Sequence, residues 1–165
     1  MQGAGVSITS DMKVIVFGLH NEEYGIDVNQ VKSIERMQTI TRIPATLDFL
    51  KGVINMRGSV IPVIDLRSRF GIPAIDHSEN SRIIIVGVQS MEVGVIVDTA
   101  NDVIDISADS IAIPPVVTGA GDTEYIRGIA KLNDRLLILL DFDKVLNSQE
   151  VKILQEIGTD EHGSH

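Results

Sequence analysis

The chain has 165 residues, of which 44% are hydrophobic and none is cysteine, so it can bury a core but has no disulfide or thiolate metal site. Its formal net charge of −9 argues against nucleic-acid binding, which depends on Lys and Arg. No apolar run approaches the ~20 residues of a spanning helix, and the first residues lack the basic and apolar regions of a secretory signal. A cytoplasmic protein without membrane insertion is therefore expected.

Short runs rich in Val and Ile recur along the chain and predict β-strands. They cover residues 14–17, 24–28, 33–37, 60–64, 82–88, 93–97, 103–106 and 135–140. The turns between them are too short for helical crossovers, which predicts mainly antiparallel sheets, and their consecutive apolar residues predict strands covered on both faces. One helical turn is predicted at 46–51, and a helix from Asn147, which has capping-box spacing to Glu150, as far as Gly158.

An internal duplication organises these strands. Two motifs occur twice, at 23–28 and 92–97 and at 49–54 and 125–130. Each copy then reaches an aspartate, Asp65 or Asp141, 13 residues after a shared glycine, Gly52 or Gly128. Two related β units are therefore predicted rather than one large sandwich. Pro62 lies inside a strand pattern, so we expect it at a sheet edge, open to a partner, or where its missing amide faces away from the ladder.

Most of the common catalytic motifs are absent from the sequence. It has no phosphate loop, nucleophile elbow or dinucleotide fingerprint, and its four histidines lack ligand spacing, so neither a cofactor nor a metal site is predicted. The segment around Asp98 is similar to the Asp-Thr-Gly of aspartic peptidases, in which two carboxylates share a proton. Ala100 replaces the glycine, and the repeat-related Asp27 is followed by Val28, which favours a turn-capping role for Asp98.

Basic residues cluster in an otherwise acidic chain. They are Arg36, Arg42, Lys51, Arg57, Arg67 and Arg69. A solvated surface is the general expectation for such a set. Arg57 differs, because it stands in an Asn55-Met56-Arg57-Gly58 turn where Gly58 can supply a positive φ and aim the guanidinium outward. A planar guanidinium suits carboxylates or backbone carbonyls of a partner.

Four segments resemble the signature of the CheW family. They are 23–28, 49–58, 60–67 and 94–98, and the likeness extends from about Val14 to Leu154. It implies a mainly β fold of two SH3-like five-stranded β-barrels with a C-terminal helix. The implied CheW-like domain covers 12–156, with flexible tails at 1–11 and 159–165. The first barrel region is expected at about 24–80 and the second at 81–142, with some strands and the helix crossing over.

The resemblance also implies the function, a non-catalytic chemotaxis adaptor recruited to receptor arrays at the inner face of the membrane. The implied partners are the regulatory domain of the histidine kinase CheA and the cytoplasmic tip of chemoreceptors. Receptor-binding positions of the family match Val31, Gly52, Arg57, Gly58 and Ser81, and a kinase-binding position matches Val28. Ser33 stands where other members present an acidic residue, so a receptor contact through a carboxylate is not expected there.

Two other classes of function stay open. An aspartic-peptidase-like enzyme using Asp98 predicts turnover by an acidic carboxylate pair. A generic SH3-like peptide-binding module predicts an aromatic-lined groove, for which a chain with 4% aromatic residues and no Trp is poorly supplied.

Overall fold

The computed structural model describes residues 11–44, 47–73, 75–113 and 125–163, with only the backbone described at Asn101 and 158–163. Predictions for Thr46 and for the ends 1–10 and 164–165 lie outside these residues. The strands are β1 (Met12–Leu19), β2 (Glu22–Asp27), β3 (Val31–Arg36), β4 (Leu50–Met56), β5 (Ser59–Asp65), β6 (Arg82–Val88), β7 (Met91–Val97), β8 (Thr99–Ile106), β9 (Ile111–Ala112), β10 (Ile126–Leu132) and β11 (Arg135–Leu140). The helices are α1 (Leu66–Arg69), α2 (Phe142–Val145) and α3 (Ser148–Gly163), and 3-10 turns cover Val28–Gln30 and Ala108–Ser110.

Every predicted strand run overlaps an observed strand, and the predicted bounds of β6 and β11 are confirmed. Strands β4 and β10 were not among the predicted runs. In each of them a basic residue and a glycine interrupt the apolar pattern, at Lys51-Gly52 and Arg127-Gly128, and the pairing register shifts at the same place. The β-bulge disrupts the alternation of residues along the strand, so a period-2 pattern does not predict these two strands.

The strands form two sheets, and each sheet contains one hairpin from the other copy of the duplication. Sheet A has the order β8-β1-β2-β11-β10-β9, and sheet B has the order β3-β6-β7-β5-β4. The hairpin β1–β2 of the first copy thus lies in the sheet of the second copy, and the hairpin β6–β7 does the reverse. Residues 82–97 pair with strands between 31 and 65, so strands cross over between the two regions divided near residue 80. The mainly β fold of two units is confirmed, with each order open at both ends in the described residues.

Exchange also explains the parallel pairs. Among the named strands, β2 pairs with β11 and β5 with β7 in parallel, whereas the other pairs are antiparallel, as predicted. Strands from different copies need no direct crossover between them, so short turns along the chain do not forbid parallel pairing.

Equivalent hydrogen bonds confirm the duplication. The amide of Asp65 donates to the carbonyl of Phe49 (2.8 Å), and the amide of Asp141 donates to the carbonyl of Tyr125 (2.8 Å). Both aspartates then cap a short helix, because their Oδ1 atoms accept a backbone N–H two residues ahead at 3.0 Å. The repeated motif is therefore a repeated strand-to-helix corner.

Pro62 lies in an interior strand, so the prediction of an open edge is wrong. Its partner Val53 exchanges both backbone hydrogen bonds with Thr41 (2.8 and 2.9 Å), so the backbone polar groups of Val53 point away from Pro62. Pairing of β5 with β7 begins one residue later, at Val63. The missing amide is thus outside both ladders, which confirms the other expectation for Pro62.

Three apolar cores account for the strands that are covered on both faces. The sheet A core contains Val14, Val16, Ile106, Ala130, Leu137 and Leu139. The sheet B core contains Ile54, Ile61, Val63, Ile83, Ile85 and Ile96. The alternate residues of the same strands, such as Ile15, Ile84, Val95 and Leu140, join a central core with α1, α2 and α3. Consecutive apolar residues therefore face different cores, as the sequence predicts.

The capping box at the start of α3 is confirmed. The amide of Asn147 donates to Oε1 of Glu150 (2.9 Å), and the amide of Glu150 donates to Oδ1 of Asn147 (2.8 Å). The predicted end at Gly158 is wrong, since α3 continues to Gly163. A glycine inside a helix costs only about 1 kcal/mol and does not by itself end the helix. Within the described residues, no helix is long and apolar enough to cross a membrane.

Candidate partner-binding surfaces

Asp98 is engaged in a structural ion pair. Its Oδ1 accepts from Nε of Arg67 (3.0 Å), and its Oδ2 accepts from a terminal guanidinium nitrogen of Arg67 (2.8 Å) and from the His20 amide (2.9 Å). Burial would raise the pKa of Asp98, but the hydrogen bonds and charge of Arg67 and the His20 amide together lower that pKa below its ordinary value. Asp98 is thus held ionised, as a turn-capping residue.

Asp27, the second carboxylate that a peptidase would need, has its own partners. Its Oδ1 accepts from the Asn29 amide (2.8 Å), and its Oδ2 lies 3.8 Å from the guanidinium of Arg127. Asp27 and Asp98 are paired with different arginines and do not form the proton-sharing dyad of an aspartic peptidase. In the part of the chain that is described, no three potential metal-ligating side chains form a group.

Arg57 stands at the tip of the β4–β5 hairpin. Both tip residues have positive φ, 55° for Arg57 and 86° for Gly58, which is the conformation of a type I′ turn. Oδ1 of Asn55 accepts the Gly58 amide (3.1 Å) and fixes the turn. Arg57 is exposed, and its guanidinium forms no ion pair within the described residues. The predicted positive φ of Gly58 is confirmed, and the turn holds the Arg57 backbone in a fixed geometry.

Gly52 lies in β4, five residues before Arg57. It is buried, with φ of 149°, at the bulge where β4 approaches the segment before it. A Cβ at this position would collide with the carbonyl oxygen of Thr41. Gly52 therefore shapes the strand that leads to the tip.

Val28 and Val31 lie at the β3 edge of sheet B, at the other end of the strand order from β4. Val28 begins the 3-10 turn after β2, and Val31 begins the edge strand β3, where it pairs with Val86. Both are half-buried and pack against the central core. In the order of sheet B, β3 and β4 are the two end strands, so Val28 and Val31 are separated from Arg57 by β6, β7 and β5.

Ser81 is not brought together with Arg57. Arg82, the next residue, pairs with Val97 at one end of sheet B, whereas Ser59 starts β5 at the other end, four residues before the Val63–Gly94 pair. Ser81 is buried, and its Oγ accepts the amide of Ser78 (3.0 Å). The five predicted receptor-binding residues thus do not form one continuous patch.

Two of the six clustered basic residues are structural, so the general expectation of a solvated surface is wrong for them. Arg67 is only 7% exposed and also donates to the Pro73 carbonyl (2.6 Å). Arg69 donates to the Val145 carbonyl (2.9 Å) and lies over the ring of Phe49. Both arginines lie on α1, directly after the strand-ending Asp65. Their position beside this repeated strand-to-helix corner is the sequence feature that could have predicted their structural role.

A row of four aromatic rings, which the strand pattern did not single out, lies along the central core. Phe17 stacks on Tyr24 at 5.5 Å, Tyr24 lies 6.0 Å from Phe70, and Phe70 stacks on Tyr125 at 4.7 Å. Desolvation and the nearby Glu22 raise the pKa of Tyr24. The rings come from both copies, so they help to fix one unit against the other.

Comparison with known proteins identifies the family. The model of the CheW-like domain matches residues 13–150. The chain is 38% identical to the chemotaxis protein CheW of Klebsiella aerogenes over 149 residues, 90% of both chains, and 42% identical to that of Bacillus subtilis over 142 residues, 86% of this chain and 91% of the relative. The crystal structure of the scaffolding protein TtCheW from Thermoanaerobacter tengcongensis matches with a TM-score of 0.77 and 42% identity, covering 84% of this chain and 96% of that one. The chain therefore belongs to the CheW family of chemotaxis proteins.

Proposed function

We propose that this protein is a chemotaxis adaptor that couples the histidine kinase CheA to chemoreceptors, in the cytoplasm and at arrays on the inner face of the membrane. The observation that supports this most is the fixed, exposed Arg57 tip on a two-sheet body whose candidate catalytic carboxylates are already paired. The adaptor acts by binding alone. It transmits receptor state if receptor binding changes the orientation or occupancy of the bound kinase, since only differential binding shifts an equilibrium.

The receptor contact in this proposal centres on the hairpin tip. A helical receptor tip would place apolar residues along the β4 side of sheet B, with Arg57 donating to carboxylates or helix carbonyls at the rim. Gly58 lets the partner approach the tip, and Gly52 keeps β4 in the required path. Val31 and Ser81 lie elsewhere on sheet B, so they would contact a receptor only outside this tip.

The kinase contact in this proposal uses Val28. This residue is half-buried at the margin of the central core, between β2 and the edge strand β3. An apolar side chain from the kinase regulatory domain would complete its burial. Val28 and the Arg57 tip belong to the two ends of the strand order of sheet B, and in this proposal the kinase and the receptor occupy separate surfaces there.

Arg57→Ala tests this division. We expect the affinity for a chemoreceptor tip to fall about tenfold, equal to about 1.4 kcal/mol, because charge-assisted hydrogen bonds are lost. Affinity for the CheA regulatory domain should change less than about twofold. Isothermal titration of each partner measures both values. Lys152→Ala, which removes one exposed positive charge from α3, is the matched control and should alter neither. Equal losses for both partners in a folded Arg57→Ala protein would refute separate surfaces.

A further inference from the structure

Two arginines face each other at the Ser81 end of sheet B. Arg36, the last residue of β3, is paired in register with Arg82, the first residue of β6. Like charges directly opposite each other in a sheet are destabilising. The pairing places two positive charges side by side at this end of the sheet, and an anion between or beside the two guanidinium groups would stabilise it.

The turn before β6 builds a rigid wall beside these arginines. The Ser81 amide donates to the Ser78 carbonyl (3.1 Å), and the Ser78 and Asn80 amides donate to Oγ of Ser81 and of Ser78 (3.0 Å each). Arg82 donates to the carbonyls of Glu79 (2.8 Å) and Ser81 (2.9 Å), which fixes its guanidinium. Together with Arg36 and Met37, the turn lines a depression of about 430 Å³.

The lining of this depression carries two positive charges, on Arg36 and Arg82, against the single negative charge of Glu79. Across the described residues, neither Arg36 nor Arg82 forms an ion pair, although the carboxylate of Glu79 belongs to the same lining. Arg36 is exposed and Met37 is half-buried, so the site offers an exposed cation, a second cation held by backbone carbonyls, and an apolar side chain. These groups match a carboxylate carried on a side chain with an aliphatic stem.

We infer that this depression, the Arg36–Arg82 site, binds an acidic side chain of a protein partner and forms a docking surface at the end of sheet B opposite the Arg57 tip. A protein fits better than a membrane, because binding to anionic lipids draws on clusters of 4–8 basic residues, whereas this site has two in a chain of net charge −9. In this inference Ser81 belongs to a docking surface that is separate from the Arg57 tip. Naming the receptor or the kinase as the partner rests on the proposed function.

Arg36→Glu in the full chain tests the inference, because Arg36 is exposed and takes no part in the hydrogen bonds given above for the turn. The probes are a chemoreceptor cytoplasmic tip and the CheA regulatory domain, titrated separately at low and at physiological salt. We expect one of the two affinities to fall at least tenfold, with a larger loss at low salt, and Lys152→Glu, with the same change of charge, to leave both unchanged. An acidic-to-Arg substitution in that partner should restore the affinity for Arg36→Glu.

Other outcomes overturn the inference in distinguishable ways. If wild type binds both partners and Arg36→Glu lowers neither affinity by tenfold, the Arg36–Arg82 site is not a docking surface, and the proposed function stands. If wild type binds neither partner, the proposed function fails together with the inference. Vesicles containing phosphatidylserine are the third probe, and a loss confined to these vesicles would show a lipid site instead.

Discussion

Gly52→Ala is expected to destabilise the protein by about 3 kcal/mol, a large part of the 5–15 kcal/mol that holds a typical domain folded. The added Cβ would collide with the Thr41 carbonyl, and a φ of 149° is strained for any residue that has a Cβ. The collision is with backbone, so side-chain rotation does not relieve it. Because β4 passes through this bulge to the Arg57 tip, weakened receptor binding should accompany the loss of stability.

Gly58→Ala is the matched control for this experiment. Gly58 also has a positive φ, but its missing Cβ faces open space. We expect a cost of about 1 kcal/mol from backbone conformation alone. Urea unfolding followed by circular dichroism gives both values. Equal costs for the two variants would show that the approach of Thr41 does not determine the need for glycine at position 52.

Asp98→Asn is expected to cost about 2 kcal/mol, because it leaves the guanidinium of Arg67, whose side chain is 9% exposed, without its carboxylate. The pair also joins the two sheets: Arg67 lies on α1 after β5, whereas the amides of His20 and Asp98 tie the same corner to the β1–β2 hairpin of sheet A. Asp27→Asn serves as the comparison, because it also removes a carboxylate from an ion pair, but one with a longer separation of 3.8 Å. It should lower the free energy of unfolding by less.

The same variant has a pH signature. The folded pKa of Asp98 lies below its ordinary value, so its contribution to stability is present above about pH 4 and is lost as pH falls through the folded pKa. The difference in unfolding free energy between wild type and Asp98→Asn should therefore be constant from pH 7 to 5 and shrink below about pH 4. A difference that grows on acidification would mean that Asp98 is not held ionised by Arg67.

Much of the fold could be predicted because the duplication consists of short local motifs. The corner at Asp65 and the corner at Asp141 repeat the same hydrogen bonds, and the capping box of Asn147 and Glu150 is a short-range pattern. Helix length was harder to predict, since Gly158 costs too little to end α3. Local rules succeed where the partners are close in sequence.

The exchange of hairpins could not be predicted from such rules. Pairing of β2 with β11 and of β5 with β7 joins residues far apart in the chain, and a duplicated sequence is equally compatible with each copy pairing only within itself. The burial of Arg67 depends on Asp98, 31 residues away, and the separation of Ser81 from Arg57 depends on sheet order. These features are set by long-range packing, which the sequence pattern does not encode locally.

Simultaneous binding tests the adaptor proposal most directly. A chemoreceptor tip is titrated into the protein alone and into the protein saturated with the CheA regulatory domain, and the mass of the resulting complex is measured by light scattering. Separate surfaces predict a ternary complex and a receptor affinity that survives kinase saturation. Displacement of the kinase domain by the receptor tip, with no ternary species at any concentration, would contradict an adaptor that holds both partners at once.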